Sequence, residues 1–271
     1  MTDSTNTTIP RLHVVLDIDE TLVHTNRLSQ DYEERDKFRM MDKYGIKHGI
    51  IQVKSFFQHN KSFITEKFQV LERPYVREFL DAISKIADIY LFTTGIKEYA
   101  YAIANYLDPS GTMFKAIYSR DNLCDWCFAK KHLQYTMENE YIPERTIFID
   151  DLPLNHAIQP DNGILIPGFC YEEGYSSEHY RIVAKEDTEL LKIQDFIINK
   201  LLYVEDVRPI IQLFYGKFLR ERIQIYCMNW EEKRHKYLEN FIESEKEWKE
   251  KQQKNQKYIV NMMKETNSKI I

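Results

Sequence analysis

Apolar residues fall along this chain in two rhythms. Leu12 to Leu16 (LHVVL) is a short, almost unbroken apolar run with two β-branched residues, the pattern of a strand buried on both faces. It stops directly at Asp17. Ile89 to Phe92 (IYLF) and Thr146 to Ile149 (TIFI) repeat the theme, the second stopping at Asp150 and Asp151. Between these runs the spacing becomes helical. Pro74 opens a predicted helix over Tyr75 to Ala87, with Val76, Phe79, Leu80, Ile83 and Ile86 on one face, and a second helix is predicted over Lys97 to Leu107. Strands alternating with helices predict an α/β fold, a central parallel sheet flanked by helices.

Two segments leave that rhythm. Residues 27 to 70 contain alternating stretches, His48 to Val53 and Ser62 to Val70, which predict a small β insertion of antiparallel strands after the first strand. Such an insertion is either a cap over a site or an edge extension of the sheet. From Thr188 onward the pattern is helical. Leu190, Leu191, Ile193, Phe196, Ile197, Leu201 and Leu202 form a docking stripe, whereas Glu231 to Lys257 is mostly charged, with a thin aromatic seam of Trp230, Tyr237, Phe241 and Trp248. That last helix either packs on its own domain and runs into solvent, or serves a partner or a second copy of the chain.

Composition narrows the class. Hydrophobic residues at 43%, charged at 29% and aromatic at 13% over 271 residues describe a globular chain and exclude a disordered, collagen-like or disulfide-framework protein. The net charge of -5 is uneven: after Val204 there are 14 basic against 11 acidic residues, leaving 23 against 31 before it. An acidic body argues against direct nucleic-acid binding. The cysteines, at 124, 127, 170 and 227, suggest no extracellular framework, so a reducing compartment is expected. No apolar run reaches the roughly 18 to 20 residues that span a bilayer, and MTDSTNTTIP has neither the apolar stretch of a secretory signal nor the arginines of a transit peptide. A soluble, intracellular protein with no membrane span is expected.

The strongest chemical signal is Val14-Val15-Leu16-Asp17-Ile18-Asp19-Glu20-Thr21-Leu22, two carboxylates two residues apart at the carboxyl end of a buried strand, where ligands bind in open α/β sheets. Asp150 and Asp151 end a second such strand. Four carboxylates gathered there would repel one another without a cation, and a hard, oxygen-ligated ion such as Mg²⁺ is the economical explanation. Thr93 offers a hydroxyl at a third strand end, and Lys130 or Lys131 a cation. A nucleophile, a hydroxyl donor, a lysine and metal-binding acids are the parts that phosphoryl transfer requires. Cys124, Cys127 and His132 are either three ligands of a zinc site or two ordinary buried thiols and a histidine.

DIDET at 17 to 21, Phe92-Thr93-Thr94, the lysine at 130 or 131 and Ile149-Asp150-Asp151 resemble, in order, the four motifs of the haloacid dehalogenase superfamily. Leu22-Val23-His24, Glu72-Arg73-Pro74, Glu98-Tyr99-Ala100, Gln159-Pro160-Asp161-Asn162 and Asp187-Thr188-Glu189 narrow the resemblance to the RNA polymerase II C-terminal-domain phosphatases, over about residues 10 to 213. The resemblance implies a phosphatase domain over 1 to 213 with the β insertion near 27 to 70 and a helical C-terminal extension over 214 to 271, and, of nucleus and cytoplasm, it favours the nucleus. It implies a Mg²⁺-dependent phosphatase that acts on phosphoserine or phosphothreonine in a phosphoprotein through an aspartyl-phosphate, with the RNA polymerase II C-terminal domain as the implied substrate. Asp17 would be the nucleophile, Asp19 the general acid and base, and Thr93 a donor to the phosphoryl oxygens, with Lys131 better matched to the family lysine than Lys130. Mg²⁺ would be held by the Asp17 carboxylate, the Asp19 carbonyl and Asp151, with Asp150 in support. Thr94, Tyr99 and Arg120 would contact the substrate, although Tyr99 reads equally as a core residue and Arg120 as a surface ion pair. Thr21 would brace the first loop by hydrogen bonding. Two other functions use the same fold: peptide binding without catalysis, as in the mitochondrial inner-membrane translocase receptor, and hydrolysis of small phosphorylated metabolites.

Overall fold

A strand with no polar face needs a neighbour on each edge and cover on each side. In the computed structural model, which describes residues 9–28, 45–57, 61–124, 131–170, 181–183 and 186–228, strand β1 (Leu12–Leu16) has all of these. It is wholly buried and pairs in parallel with β5 (Ala87–Phe92) on one edge and β7 (Thr146–Asp150) on the other. With β6 (Phe114–Tyr118) beyond β5 and β8 (Gly163–Leu165) beyond β7, the sheet is five-stranded and parallel in the order β6-β5-β1-β7-β8.

Alternate residues of these strands enter two cores. Val14, Leu16, Ile89, Leu91, Ile147 and Ile149 join the larger core, to which the helices Val76–Ser84, Lys97–Leu107 and Glu189–Phe196 contribute. Val15, Tyr90, Phe92 and Phe148 face the other way, onto Leu133 and Met137 of the short helix Leu133–Met137. The α/β architecture expected from the alternating patterns is therefore observed. The first helix is shorter than its periodicity implies: Ile86 already lies in a turn, donating to the Ile83 carbonyl at 3.0 Å, and β5 starts at Ala87.

The insertion forms its own antiparallel sheet of β2 (Val23–Leu28), β3 (His48–Phe57) and β4 (Ser62–Glu72), in the order β2-β4-β3. It lies close against the helix Lys97–Leu107: a Cβ added at Gly49 on β3 would stand 2.5 Å from the Tyr106 ring, so the bare glycine leaves room for that ring.

Of the expected C-terminal stripe, Leu190, Ile193, Phe196, Ile197 and Leu201 are buried, and Leu191 and Leu202 are half-buried. The helix loosens into a π turn over Ile197–Leu201, and helical structure resumes from Arg208. Two compact units emerge, Met1–Ile223 and Gln224–Ile271. The second is described only over 224–228, which are helical, and the aromatic seam from Trp230 to Trp248 lies outside the described residues.

Chain order positions the site. From β1 the chain goes to β5 and β6, then returns to lay β7 on the opposite edge of β1. The order reverses at β1, and the crevice beyond its carboxyl end is the ligand position of an open parallel sheet.

Within the sheet, His13 on β1 is buried against the Tyr90 ring, 5.3 Å between centroids. Burial lowers its pKa, helped by Lys115 and opposed by Asp88 and Glu140. A neutral buried histidine contributes stability that is present above its unfolded pKa of about 6.5 and is lost as pH falls below it, because the unfolded chain then binds the extra proton. Between pH 7.5 and 5.5 the urea midpoint of wild type is expected to fall relative to that of His13→Phe; an unchanged difference between the two proteins would remove His13 from the account.

Candidate active site

Asp17 is the first residue beyond β1. Its backbone N–H donates to the Ile149 carbonyl at 3.0 Å, continuing the β1–β7 ladder one step and leaving the side chain at the mouth of the sheet. Asp150 ends the neighbouring strand, and Asp151 follows it. Carboxylate oxygens of Asp17, Asp150 and Asp151 lie within 4.8 Å of one another, the group suited to a metal ion among the described residues.

One cation is built into this group. Lys131 is 1% exposed, and its ammonium donates to Asp17 and, at 2.7 Å, to Asp150. Burial pulls the lysine pKa down, but Asp150 and Asp17 outweigh burial and raise it, so Lys131 stays charged. Lys130 lies outside the described residues. Gln159 anchors the chain at the lysine, donating to the Lys131 carbonyl at 2.9 Å and to the Asn155 carbonyl at 3.1 Å. Asp150 is saturated: beyond Lys131 it accepts from the Leu152 N–H at 2.8 Å and from the Asn155 amide at 3.0 and 2.9 Å.

Asp151 differs sharply from its neighbour. No described residue donates a hydrogen bond to its carboxylate, and burial, then the charges of Asp150 and Asp17, push its pKa up to about 9. Asp17 is pushed up to about 8, first by burial and then by Asp150 and Asp19 against the pull of Lys131. One lysine does not neutralise three clustered carboxylates, two of them buried. An undonated acid beside an excess of negative charge, all oxygen ligands, fits a hard divalent cation.

Asp19 stands apart from that group. The turn that carries it is tight: Leu22 and Val23 both donate to the Ile18 carbonyl, Glu20 donates to the Val23 carbonyl at 2.8 Å, and Glu20 has φ 60, in the left-handed region. The Asp19 carboxylate accepts from the Tyr99 phenol at 2.5 Å and from the Thr93 hydroxyl at 3.3 Å. Its pKa is raised, by burial more than these two bonds and Lys131 lower it.

Thr93 follows β5, with its N–H on the Tyr118 carbonyl and its hydroxyl accepting from the Gly95 N–H at 2.9 Å. Thr94 and Arg120 are exposed together on the rim. The Arg120 Nε donates to the Thr94 carbonyl at 3.0 Å and its N–H to the Gly95 carbonyl at 2.8 Å, while its two Nη groups make no hydrogen bond among the described residues.

Three readings change. Thr21 is fully buried but its hydroxyl has no partner among the described residues; Arg73 braces the loop instead, donating to the Glu20 and Thr21 carbonyls at 3.2 and 3.1 Å. Cys124 is buried and disulfide-bonded rather than a free thiol, and His132 Nδ1 accepts from the Tyr135 N–H as a helix cap, so neither stands as an open zinc ligand. Cys127 lies outside the described residues. Asn155, which orders Asp150, carries no sequence signal that separates it from an ordinary turn polar, whereas Gln159, which anchors Lys131, lies in the family-like stretch Gln159-Pro160-Asp161-Asn162 without a role expected for it.

Three comparisons bear on these features. The family model described as NLI interacting factor-like phosphatase matches residues 12–208. Nuclear envelope morphology protein 1 of Saccharomyces cerevisiae is 25% identical over 217 residues, 75% of this chain and 42% of that protein. CTD small phosphatase-like protein 3 of Caenorhabditis elegans is 28% identical over 219 residues, 81% of this chain and 64% of that protein. The chain thus spans less than two thirds of the length of either relative. In fold it is similar to the solved structure of Fcp1, described as an essential RNA polymerase II CTD phosphatase, with a TM-score of 0.52 and 18% identity over 70% of this chain and 62% of that one.

Proposed function

The chain belongs to the NLI interacting factor-like phosphatase family, and from that membership we propose that it hydrolyses phosphoserine or phosphothreonine in proteins, with the RNA polymerase II C-terminal domain as the first substrate to try. The observation that carries the reading is the buried Lys131 joining Asp17 to Asp150 next to an undonated Asp151, with Asp19 held separately by Tyr99 and Thr93.

In this reading Asp17 attacks phosphorus and becomes an aspartyl-phosphate. Lys131 holds the attacking carboxylate in one rotamer and balances charge as the phosphoryl group arrives. Asp19 gives its proton to the leaving serine or threonine oxygen, then takes one from the water that cleaves the aspartyl-phosphate. The Thr93 hydroxyl, on a long bond to Asp19, turns to a phosphoryl oxygen. Mg²⁺ held by Asp17, Asp151 and the Asp19 carbonyl, with Asp150 in support, would supply Lewis-acid neutralisation of the phosphoryl oxygens. Thr94 and Arg120 form the rim for the peptide, and the Nη groups of Arg120, without a hydrogen bond among the described residues, suit a phosphate or a backbone carbonyl.

Relatives named as CTD phosphatases support a phosphoprotein substrate and a nuclear location. A relative named for nuclear envelope morphology widens the set of substrates to test. No described helix is long and apolar enough to cross a membrane. A phosphatase domain over 1 to 213 and an extension over 214 to 271, open to a partner or a second copy, complete the reading.

Activity is expected on phosphoserine and phosphothreonine peptides above sugar phosphates and nucleotides. Removing divalent cations with EDTA should cut turnover by on the order of a thousandfold, with recovery on adding Mg²⁺, since a metal supplies several kcal/mol of charge stabilisation. Preference for sugar phosphates would favour the metabolite reading. Peptide binding without turnover in Mg²⁺ would favour the binding module.

A further inference from the structure

Tyr99 has a place that substrate binding does not explain. It is 8% exposed, and its phenol oxygen lies 2.5 Å from Asp19 Oδ1 and 3.1 Å from the Thr25 hydroxyl. A phenol has one proton. Donated to the carboxylate, it leaves the Tyr99 oxygen as acceptor, so Thr25 is the donor of the second bond and the chain runs Thr25 to Tyr99 to Asp19. The ring is clamped as well: a Cβ at Gly95 would stand 2.8 Å from Tyr99 Cδ1, and Phe68 meets the ring edge-on at 5.6 Å. Thr25 lies on β2 and Phe68 on β4, so the insertion supplies both a wall and a hydroxyl to a residue of the parallel-sheet body.

We infer that Tyr99 and Thr25 are positioning residues that commit Asp19 to proton transfer through a single oxygen, making the insertion sheet part of the catalytic apparatus. With Oδ1 held as an acceptor, the transferable proton resides on Oδ2, whose partner is the long and displaceable Thr93 bond. In the first half-reaction the Oδ2–H bond breaks and an O–H bond forms on the leaving oxygen, while the phosphorus–oxygen bond to that oxygen breaks and one to Asp17 forms. In the second, water gives its proton to Oδ2 as its oxygen bonds phosphorus and the bond to Asp17 breaks. The Tyr99 and Thr25 protons stay where they are. This rests on the aspartyl-phosphatase reading above.

The test uses the full chain and substituted phenyl phosphates, which share one size and contain no peptide but differ in leaving-group basicity. The kcat/KM value reports the first half-reaction. Wild type is expected to depend weakly on leaving-group pKa, because the acid protonates the departing oxygen. Tyr99→Phe should lose roughly a hundredfold on the most basic leaving groups, within the usual general-acid range, and about threefold or less on p-nitrophenyl phosphate, so that its dependence steepens. Thr25→Val should steepen it less, and Thr25→Ser should restore it. Equal losses across the series, or losses confined to phosphopeptides, would overturn the inference and make Tyr99 a structural or peptide-contact residue. A wild type without turnover on any member would instead overturn the aspartyl-phosphatase reading, and the inference with it.

Discussion

Asp17→Asn is expected to abolish turnover of p-nitrophenyl phosphate and phosphopeptides alike, by on the order of ten-thousandfold or more, because the amide has no anionic oxygen to attack phosphorus and no covalent intermediate can form. The change is nearly isosteric and removes one negative charge from a buried group that has too many. Stability should therefore stay within about 1 kcal/mol of wild type, which separates loss of chemistry from loss of fold. The measurement is a steady-state rate beside a urea unfolding curve, with acid-quenched trapping of phosphoprotein in wild type and none in the variant. Turnover close to wild type in Asp17→Asn would remove Asp17 as nucleophile and reopen the binding-module reading.

The second large effect is on stability. Arg73 and Asp187 have side chains with no solvent exposure and pair at 2.8 Å. Burial lowers the pKa of Arg73 and raises that of Asp187, so both charges stand in a medium that disfavours them and depend on each other. The same guanidinium donates to the Glu20 and Thr21 carbonyls and, at 2.7 Å, to the Pro167 carbonyl, while Asp187 accepts from the Glu189 N–H at 3.0 Å. One side chain thereby ties the Asp19 turn to the segment after β8 and to the start of the helix Glu189–Phe196. Arg73→Met should cost about 3 to 5 kcal/mol by leaving the buried Asp187 charge without its counter-ion and the Thr21 and Pro167 carbonyls without their donor. Arg73→Met with Asp187→Leu should recover part of that loss, since the stranded charge is gone. Urea unfolding of the two variants checks both statements. A single variant within about 1 kcal/mol of wild type would mean that water replaces the guanidinium, and that the buried pair is not what holds the turn.

The legible part of the site was the part tied to strand ends. LHVVL and TIFI have no polar face, so both had to be interior strands, and the acids that stop them had to emerge together at one edge of the sheet. The insertion was legible as alternation, with bounds that moved outward to Val23 and Glu72 because strand pairing continues past the hydrophobic pattern. Adjacent Lys130 and Lys131 could not be ordered by spacing alone, since they are neighbours in the sequence. Thr21 misled because a hydroxyl in a turn commonly bonds locally, and here the Arg73 fork takes the carbonyls first. Tyr99 was ambiguous for a physical reason: its ring belongs to the core of the helix Lys97–Leu107, and its hydroxyl belongs to Asp19.

Hydrophobic periodicity by itself determined the class of fold and the strand ends that carry Asp17, Thr93 and Asp150. Those follow from local rules, because a residue's burial leaves its mark at spacings of two or of three to four along the chain. Which strands are neighbours, which lysine neutralises Asp17, and what holds Asp19 were decided only by the tertiary structure. Lys131 is 114 residues from Asp17, Tyr99 is 80 from Asp19, and Arg73 is 114 from Asp187. Over such separations no periodicity operates, and the pairing is set by which helices cover the sheet and where the order of its strands reverses.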